Sequence, residues 1–214
     1  MRKKKVVPII LILVLIFVST ASGCSSSWKT APISRTGFAF DTVITITVYS
    51  EEDAAFLDGC FALADHYEKL LSKTLPESDV SRINASHGEP VSVDLETLEV
   101  LRTAIYYADL SDGAFDPTIG ALSSLWDFHP EHPVLPSDEE IQKALRTVDY
   151  QSTTIDDTAG TVALGNPESA LDLGGIAKGY IADRLKEYLL EHGVQSGLIN
   201  LGGNVLTLGK KPDG

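Results

Sequence analysis

Cysteine is almost absent: the chain holds only Cys24 and Cys60. That scarcity excludes a disulfide-stapled scaffold, and a single cysteine left over beyond Cys24 has no intrachain partner. Basic residues are also few, with 17 Lys and Arg against 30 Asp and Glu and a formal net charge of −13. Four of those bases (Arg2, Lys3, Lys4, Lys5) lie in the first 23 residues, where there is no acid, so the remainder is more acidic still. A surface of this sign argues against nucleic-acid binding and decides little else. No Gly-x-x-x-x-Gly-Lys-Ser/Thr occurs, which excludes a P-loop, and no Gly-x-Gly-x-x-Gly, which excludes a Rossmann dinucleotide site. Histidine is sparse. His129 and His132 are interleaved with Pro130 and Pro133 and have no cysteine or third histidine nearby, which argues against a metal site there. His66, His87 and His192 read as surface groups. Sequence repeats are missing as well.

What is present begins with a targeting segment. Arg2 to Lys5 form a basic start, Val6 to Val18 is nearly all apolar with Pro8 its interruption, and Ala21-Ser22-Gly23 bring small residues up to Cys24. Residues 1–23 therefore read as a secretory signal ending in a lipoprotein box, with Cys24 the lipidated first residue of the mature chain. An uncleaved membrane anchor is the alternative, against which the shortness of the apolar run counts. Either way the rest of the chain is expected outside the cytoplasm, tethered to a bacterial cell membrane. Residues 24–35, opening with Ser25-Ser26-Ser27, read as a flexible tether. Residues 36–214 read as one domain, long enough for a well-buried core.

Within that domain, residues 41–49 alternate with Ile44, Ile46 and Val48 on one face, predicting a half-buried strand. Ser50 caps a helix predicted to run to about Leu71, and Asp53 suits its positive first turn. The expected buried stripe is Phe56, Cys60, Leu63, Tyr67 and Leu70, which makes Cys60 a packing residue rather than a nucleophile. Residues 72–84 break the pattern and predict a loop with a short helical turn. Asp94 caps a second long helix, with Leu95, Leu98, Leu101, Ile105 and Ala108 as its stripe and a stop at Ser111-Asp112-Gly113. Ser137 and Glu140 form a capping box for a helix through Val148. Residues 153–164 read as a hairpin turning at 157–160, Gly193 as a helix C-cap, and Gly197 to Gly209 as strand, glycine kink and strand. Strand signals are still running at the last residues, so a longer parent protein is expected.

The chemistry concentrates in residues 171–183, Leu-Asp-Leu-Gly-Gly-Ile-Ala-Lys-Gly-Tyr-Ile-Ala-Asp. A short apolar strand (Ala170, Leu171, Leu173) is expected to enter the pair Gly174-Gly175. A helix then starts near Ile176, with Ile176, Tyr180, Ile181 and Leu185 on one face. Bare glycines let a ligand approach the backbone, a helix start offers free N–H groups to an anion, and Lys178 adds a mobile positive charge. Such a cradle suits a phosphate-bearing molecule. A tight turn whose glycines merely permit packing is the competing reading. Gly113 to Gly120, Gly-Ala-Phe-Asp-Pro-Thr-Ile-Gly, forms a stiff, exposed turn. It either sets Asp116 and backbone groups against a ligand or simply buries Phe115 as an anchor.

Several motifs then fall in one order: Phe40-Asp41-Thr42, Ser78 to Asn84, Gly113 to Gly120 with Trp126, Asp172 to Tyr180 with Asp183, and Ile199 to Asn204. Together, from about residue 36 onward, they closely resemble the ApbE family, the FAD:protein FMN transferases, many of which are bacterial lipoproteins. The resemblance implies an α+β fold, with a mixed or antiparallel sheet and packed helices around an FAD cleft. It implies an enzyme that uses magnesium and moves the FMN half of FAD onto a threonine or serine hydroxyl of a target protein, releasing AMP. Its targets would be extracytoplasmic redox proteins. Residue by residue, Ala114, Phe115 and Asp116 match the family's flavin-contacting segment, and Asp172 and Lys178 its FAD-binding acid and base. Gly175 matches the position whose carbonyl helps hold magnesium. Phe40 stands where many members have an FAD-contacting methionine, and Thr74 where many have a tyrosine on the flavin. No residue of the chain itself acts as nucleophile, since the target's hydroxyl does. The family's later aspartate and threonine, which complete the magnesium site, lie beyond residue 214, so weak metal binding and little transfer are expected of this chain alone. FAD capture without transfer and a magnesium-dependent FAD pyrophosphatase are the competing functions.

Overall fold

Seven residues of alternating, β-branched sequence start the core. Thr42–Val48 forms strand β2, and its inward side chains Ile44, Ile46 and Val48 are completely buried, as the alternation predicts. In the computed structural model, which describes residues 31–126 and 135–212, β2 pairs with β1 (Ile33–Ala39) on one side and β6 (Gly197–Leu201) on the other. Strand β7 (Asn204–Leu208) continues past β6, giving a four-stranded sheet in the order β1-β2-β6-β7 with every pair antiparallel. Strand β1 begins inside the stretch read as tether, at Ile33. Its sequence carries little signal because Ser34, Arg35, Thr36 and Phe38 all lie exposed on an edge strand.

Helices cover one face of this sheet. Ser50 caps as expected, accepting from the Asp53 N–H at 3.0 Å, but the first helix, α1 (Glu51–Ala54), stops after one turn. A second helix, α2, then runs from Leu57 to Leu71. The break rotates the buried stripe. Leu57, Cys60, Ala64, Tyr67 and Leu71 face the core, while Phe56, Leu63 and Leu70 only flank it. Burial pushes the Cys60 thiol up to about 12, consistent with a packing role. Helix α2 packs against a long later helix, α7 (Ala177–Glu191), which buries Ala177, Ile181, Ala182, Leu185 and Leu189 and also touches β6 and β7. Ile176 and Tyr180, expected on that face, are only half-buried.

The chain between these helices builds the other side of the unit. Helix α3 (Asp79–Asn84) is the predicted short turn, capped by Ser78. Asp94 caps helix α4 (Leu95–Leu110), which buries Thr97, Leu98, Val100, Leu101, Ala104 and Ala108. Leu95 is 75% exposed and Ile105 only half-buried, so the buried face is wider and turned from the predicted stripe. After the one-turn helix α5 (Gly120–Ser123), helix α6 (Asp138–Leu145) carries the Ser137–Glu140 capping box and ends at Leu145, earlier than Val148. Strands β3 (Val91–Ser92), β4 (Thr154–Asp156) and β5 (Thr161–Ala163) form a small antiparallel sheet, β3-β5-β4, that contains the predicted hairpin. No helix among the described residues is long and apolar enough to cross a membrane. His129 and His132, and Cys24 with its leader, lie outside the described residues.

Candidate functional site

The Asp172 segment is held from both sides before its helix begins. The expected strand at Ala170–Leu173 does not form; its β pairing is reduced to one isolated parallel bridge, Ile119 to Ala170. Asn84 takes the place of a pairing strand. Its amide Nδ2 donates to the Leu171 carbonyl at 3.0 Å, and its Oδ1 accepts the Leu171 N–H at 2.7 Å. On the other side the Asp172 N–H donates to the Pro117 carbonyl at 2.9 Å, and the Gly120 N–H to the Ala170 carbonyl at 2.8 Å. Gly120 has no room for a side chain, since a Cβ there would stand 2.6 Å from the Ala170 oxygen. Motifs far apart in sequence thus meet here as one rigid support.

Asp172 itself is 18% exposed at its side chain and fully engaged. Its Oδ1 accepts the Gly174 N–H at 2.9 Å, and its Oδ2 accepts Ser123 Oγ at 2.7 Å and Lys73 Nζ at 2.6 Å. Burial alone would raise its pKa, but the hydrogen bonds from Lys73, Ser123 and the Gly174 amide outweigh it and hold the carboxyl below its ordinary range. Helix α7 follows with Ile176 at its N-cap and no side chain capping it. That leaves the positive end of a fifteen-residue helix beside the cleft.

A cleft of about 450 Å³ opens there, lined by Phe40, Asp41, Thr42, Lys73, Thr74, Asp172, Gly174, Lys178 and Gly202 among others. Its volume lies within the usual range for small-molecule sites. Phe40, Thr74, Asp172 and Lys178, predicted from distant parts of the sequence, share this one cleft. Phe40 reaches it from the β1–β2 turn, where its N–H donates to Glu68 Oε1 at 2.8 Å. Gly175 and Phe115 line a second cleft of about 490 Å³ on the other side of the helix start, with Tyr107, Ile176, Tyr180 and Asp183. The two touch closely: a Cβ at Gly175 would stand 3.0 Å from the Phe115 ring.

The Gly113–Gly120 turn is less exposed than its sequence implies, with Pro117, Thr118 and Gly120 buried. Asp116 points into the protein. Its Oδ1 accepts the Thr118 N–H at 2.7 Å and Thr118 Oγ1 at 2.6 Å, and its Oδ2 accepts the Tyr150 N–H at 3.2 Å. Ala114 is exposed beside it, and neither Ala114 nor Asp116 lines either cleft. Lys73 and Ser123 were not singled out from the sequence. Nothing local announces them, because they reach Asp172 across 99 and 49 residues.

An antiparallel sheet covered on one face by helices, with a cleft that gathers Lys73, Lys178 and a glycine-paired helix start, defines an α+β domain with a small-molecule-sized cleft. Comparison with known proteins narrows this. Residues 40–214 match the model of the ApbE family, and the chain belongs to that family. It is 32% identical over 212 residues to an FAD:protein FMN transferase of Treponema pallidum, covering 94% of this chain and 58% of that protein. To the Klebsiella pneumoniae FAD:protein FMN transferase it is 39% identical over 168 residues, covering 78% and 53%. The crystal structure of an ApbE protein from Thermotoga maritima superposes with a TM-score of 0.78 at 34% identity, over 85% of this chain and 60% of that one. The flavin transferase ApbE from Vibrio cholerae gives 0.77 at 28% identity, over 86% and 62%. The chain therefore spans between half and two thirds of the length of these relatives. The α+β fold with antiparallel sheets expected from the sequence is the fold found.

Proposed function

We propose that this chain belongs to an enzyme that transfers FMN from FAD to a threonine or serine hydroxyl of an acceptor protein, with release of AMP. The observation that carries the reading is the convergence of Phe40, Thr74, Asp172 and Lys178 on one cleft, in a chain of this family. In this scheme the acceptor's hydroxyl oxygen attacks the FMN phosphorus and loses its proton. The phosphorus–oxygen bond to the AMP half breaks, and AMP leaves with the bridging oxygen. Phosphoryl transfer is catalysed mainly by positioning and charge neutralisation, so the protein need not supply a nucleophile. Lys178 and the α7 N-terminus would neutralise the pyrophosphate, while Gly174 and Gly175 let it approach the backbone. Phe115, in the second cleft, would support the flavin side together with its chain neighbour Ala114, and Asp116 would act by fixing the turn that carries them. An extracytoplasmic redox protein is the acceptor this reading favours, with the chain anchored to the outer face of the bacterial membrane through lipid on Cys24.

Magnesium, with the Gly175 carbonyl as one donor, belongs to the same scheme. Among the described residues no three His, Cys, Asp or Glu side chains come together to hold a metal. Asp172 is already bonded to Lys73, Ser123 and the Gly174 amide. These residues alone therefore do not form a magnesium site. The same observation favours a second reading, FAD capture without transfer; release of FMN and AMP to water would be a third outcome. In-gel flavin fluorescence of a candidate acceptor, after incubation with the full-length enzyme to which this chain belongs, FAD and magnesium, separates them. The proposal expects a covalently fluorescent acceptor band and AMP. An unlabelled acceptor beside intact bound FAD supports capture, and free FMN and AMP support hydrolysis.

A further inference from the structure

We infer that Lys73 is a second phosphate-binding cation of the cleft that Lys178 also lines. This rests on the pyrophosphate-binding part of the reading above. Lys73 sits just beyond the end of α2, in a loop fixed at both ends. Ser72 Oγ accepts the N–H groups of Thr74 and Leu75, each at 3.1 Å, and the Ser72 carbonyl accepts Ser78 Oγ, and Ser81 Oγ at 3.2 Å. The backbone that carries Lys73 is therefore set against the cleft rather than free to swing away.

Asp172 does not need this lysine to satisfy its hydrogen bonds. The Gly174 amide and Ser123 Oγ already supply a donor to each carboxylate oxygen. What Lys73 adds is charge. An ammonium has three N–H donors, and here Asp172 Oδ2 at 2.6 Å and Ser123 Oγ at 3.4 Å are its partners, with the side chain still 37% exposed. The charged side chains lining the cleft are Asp41, Asp172, Lys73 and Lys178. Without Lys73, two carboxylates would face one lysine, in a chain whose formal net charge is −13. Such a cleft would repel a diphosphate. With Lys73, Asp172 is neutralised and becomes an arm that aims the ammonium, and a remaining N–H can turn to a phosphate oxygen.

The test is calorimetric titration of the whole chain, in detergent, with FAD, ADP and riboflavin, for the parent, Lys73→Gln and Lys73→Arg. Lys73→Gln is expected to weaken FAD and ADP by about 10- to 100-fold, the worth of a charge-assisted bond, and to leave riboflavin within about 2-fold. Lys73→Arg should keep FAD and ADP within a few-fold of the parent. Equal affinity of parent and Lys73→Gln for FAD and ADP overturns the inference and leaves the flavin reading standing. Equal loss of all three ligands also overturns it, because the lysine would then be a structural tie. If the parent binds ADP in a Lys73-dependent way but not FAD, the inference stands and the flavin reading falls. A parent that binds neither overturns both.

Discussion

The two hairpin tips beside the cleft solve the same geometric problem in opposite ways. Between β6 and β7 the turn is Gly202-Gly203, with φ of +62° and +96°. Between β1 and β2 it is Phe40-Asp41, with φ of +54° and +56°. Two-residue turns that match strand twist need positive φ at both positions, which glycine adopts without penalty and other residues do not. The β1–β2 tip accepts that strain and is held in place. Glu68 accepts the Phe40 N–H, and Phe40 packs against the core. Strain kept where glycine would remove it marks a position whose side chains are used. Phe40 and Asp41 both line the cleft, whereas the glycine tip contributes only Gly202.

Substitutions should break this contrast in order of size. Gly202→Ala adds a Cβ 2.4 Å from Thr42 Oγ1 to a positive φ, so it should lose about 2–4 kcal/mol in urea unfolding. Gly203→Ala meets nothing within 4 Å and should lose only the strain, about 1–2 kcal/mol. A loss at Gly203 equal to that at Gly202 would show that the clash with Thr42 is not felt. Asp41→Gly should do the reverse and stabilise by about 0.5–1 kcal/mol. It should also tighten ADP binding a few-fold by removing a carboxylate from the cleft. A destabilised Asp41→Gly chain would remove the strain argument.

Asp172 gives the smallest effect, read through pH. Asp172 has its pKa lowered in the folded chain, so its contribution to stability is complete above the unfolded aspartate value of about 3.9 and fades as pH falls through the lower folded value. Glu96, against which burial works but which His66 and Tyr67 hold ionised by hydrogen bonds, behaves in the same direction. Asp172→Asn should therefore flatten the acid limb of stability below about pH 4 and leave neutral pH behaviour parallel to the parent. An unchanged acid limb would mean that the ion pair with Lys73 adds nothing to folding.

How much of this was legible depended on whether the signal was local. Alternation gave β2, the side chains of Ser50, Asp94 and Ser137 gave helix starts, and turn residues gave the 153–164 hairpin. Helix faces were legible only to within a residue, because the break at Ala55-Phe56 resets the register of α2. Strand β1 was hidden because an exposed edge strand need not alternate. At the site, the glycine pair and Lys178 mark the segment proposed as a phosphate cradle, and Phe40 and Thr74, expected from the ordered motifs, line the same cleft as Gly174 and Lys178. The inward turn of Asp116 and the Lys73–Asp172 pair depend on partners far along the chain, and only the fold brings those together.

In the proposed function a diphosphate sits where the glycine pair meets α7. Calorimetric titration of FAD into the whole chain, repeated with Lys178→Ala and in the presence of excess ADP, tests it most directly. One FAD site per chain is expected, displaced by ADP and weakened about tenfold or more without the Lys178 charge. FAD binding that ignores both ADP and Lys178→Ala, or no binding heat at all, would contradict it.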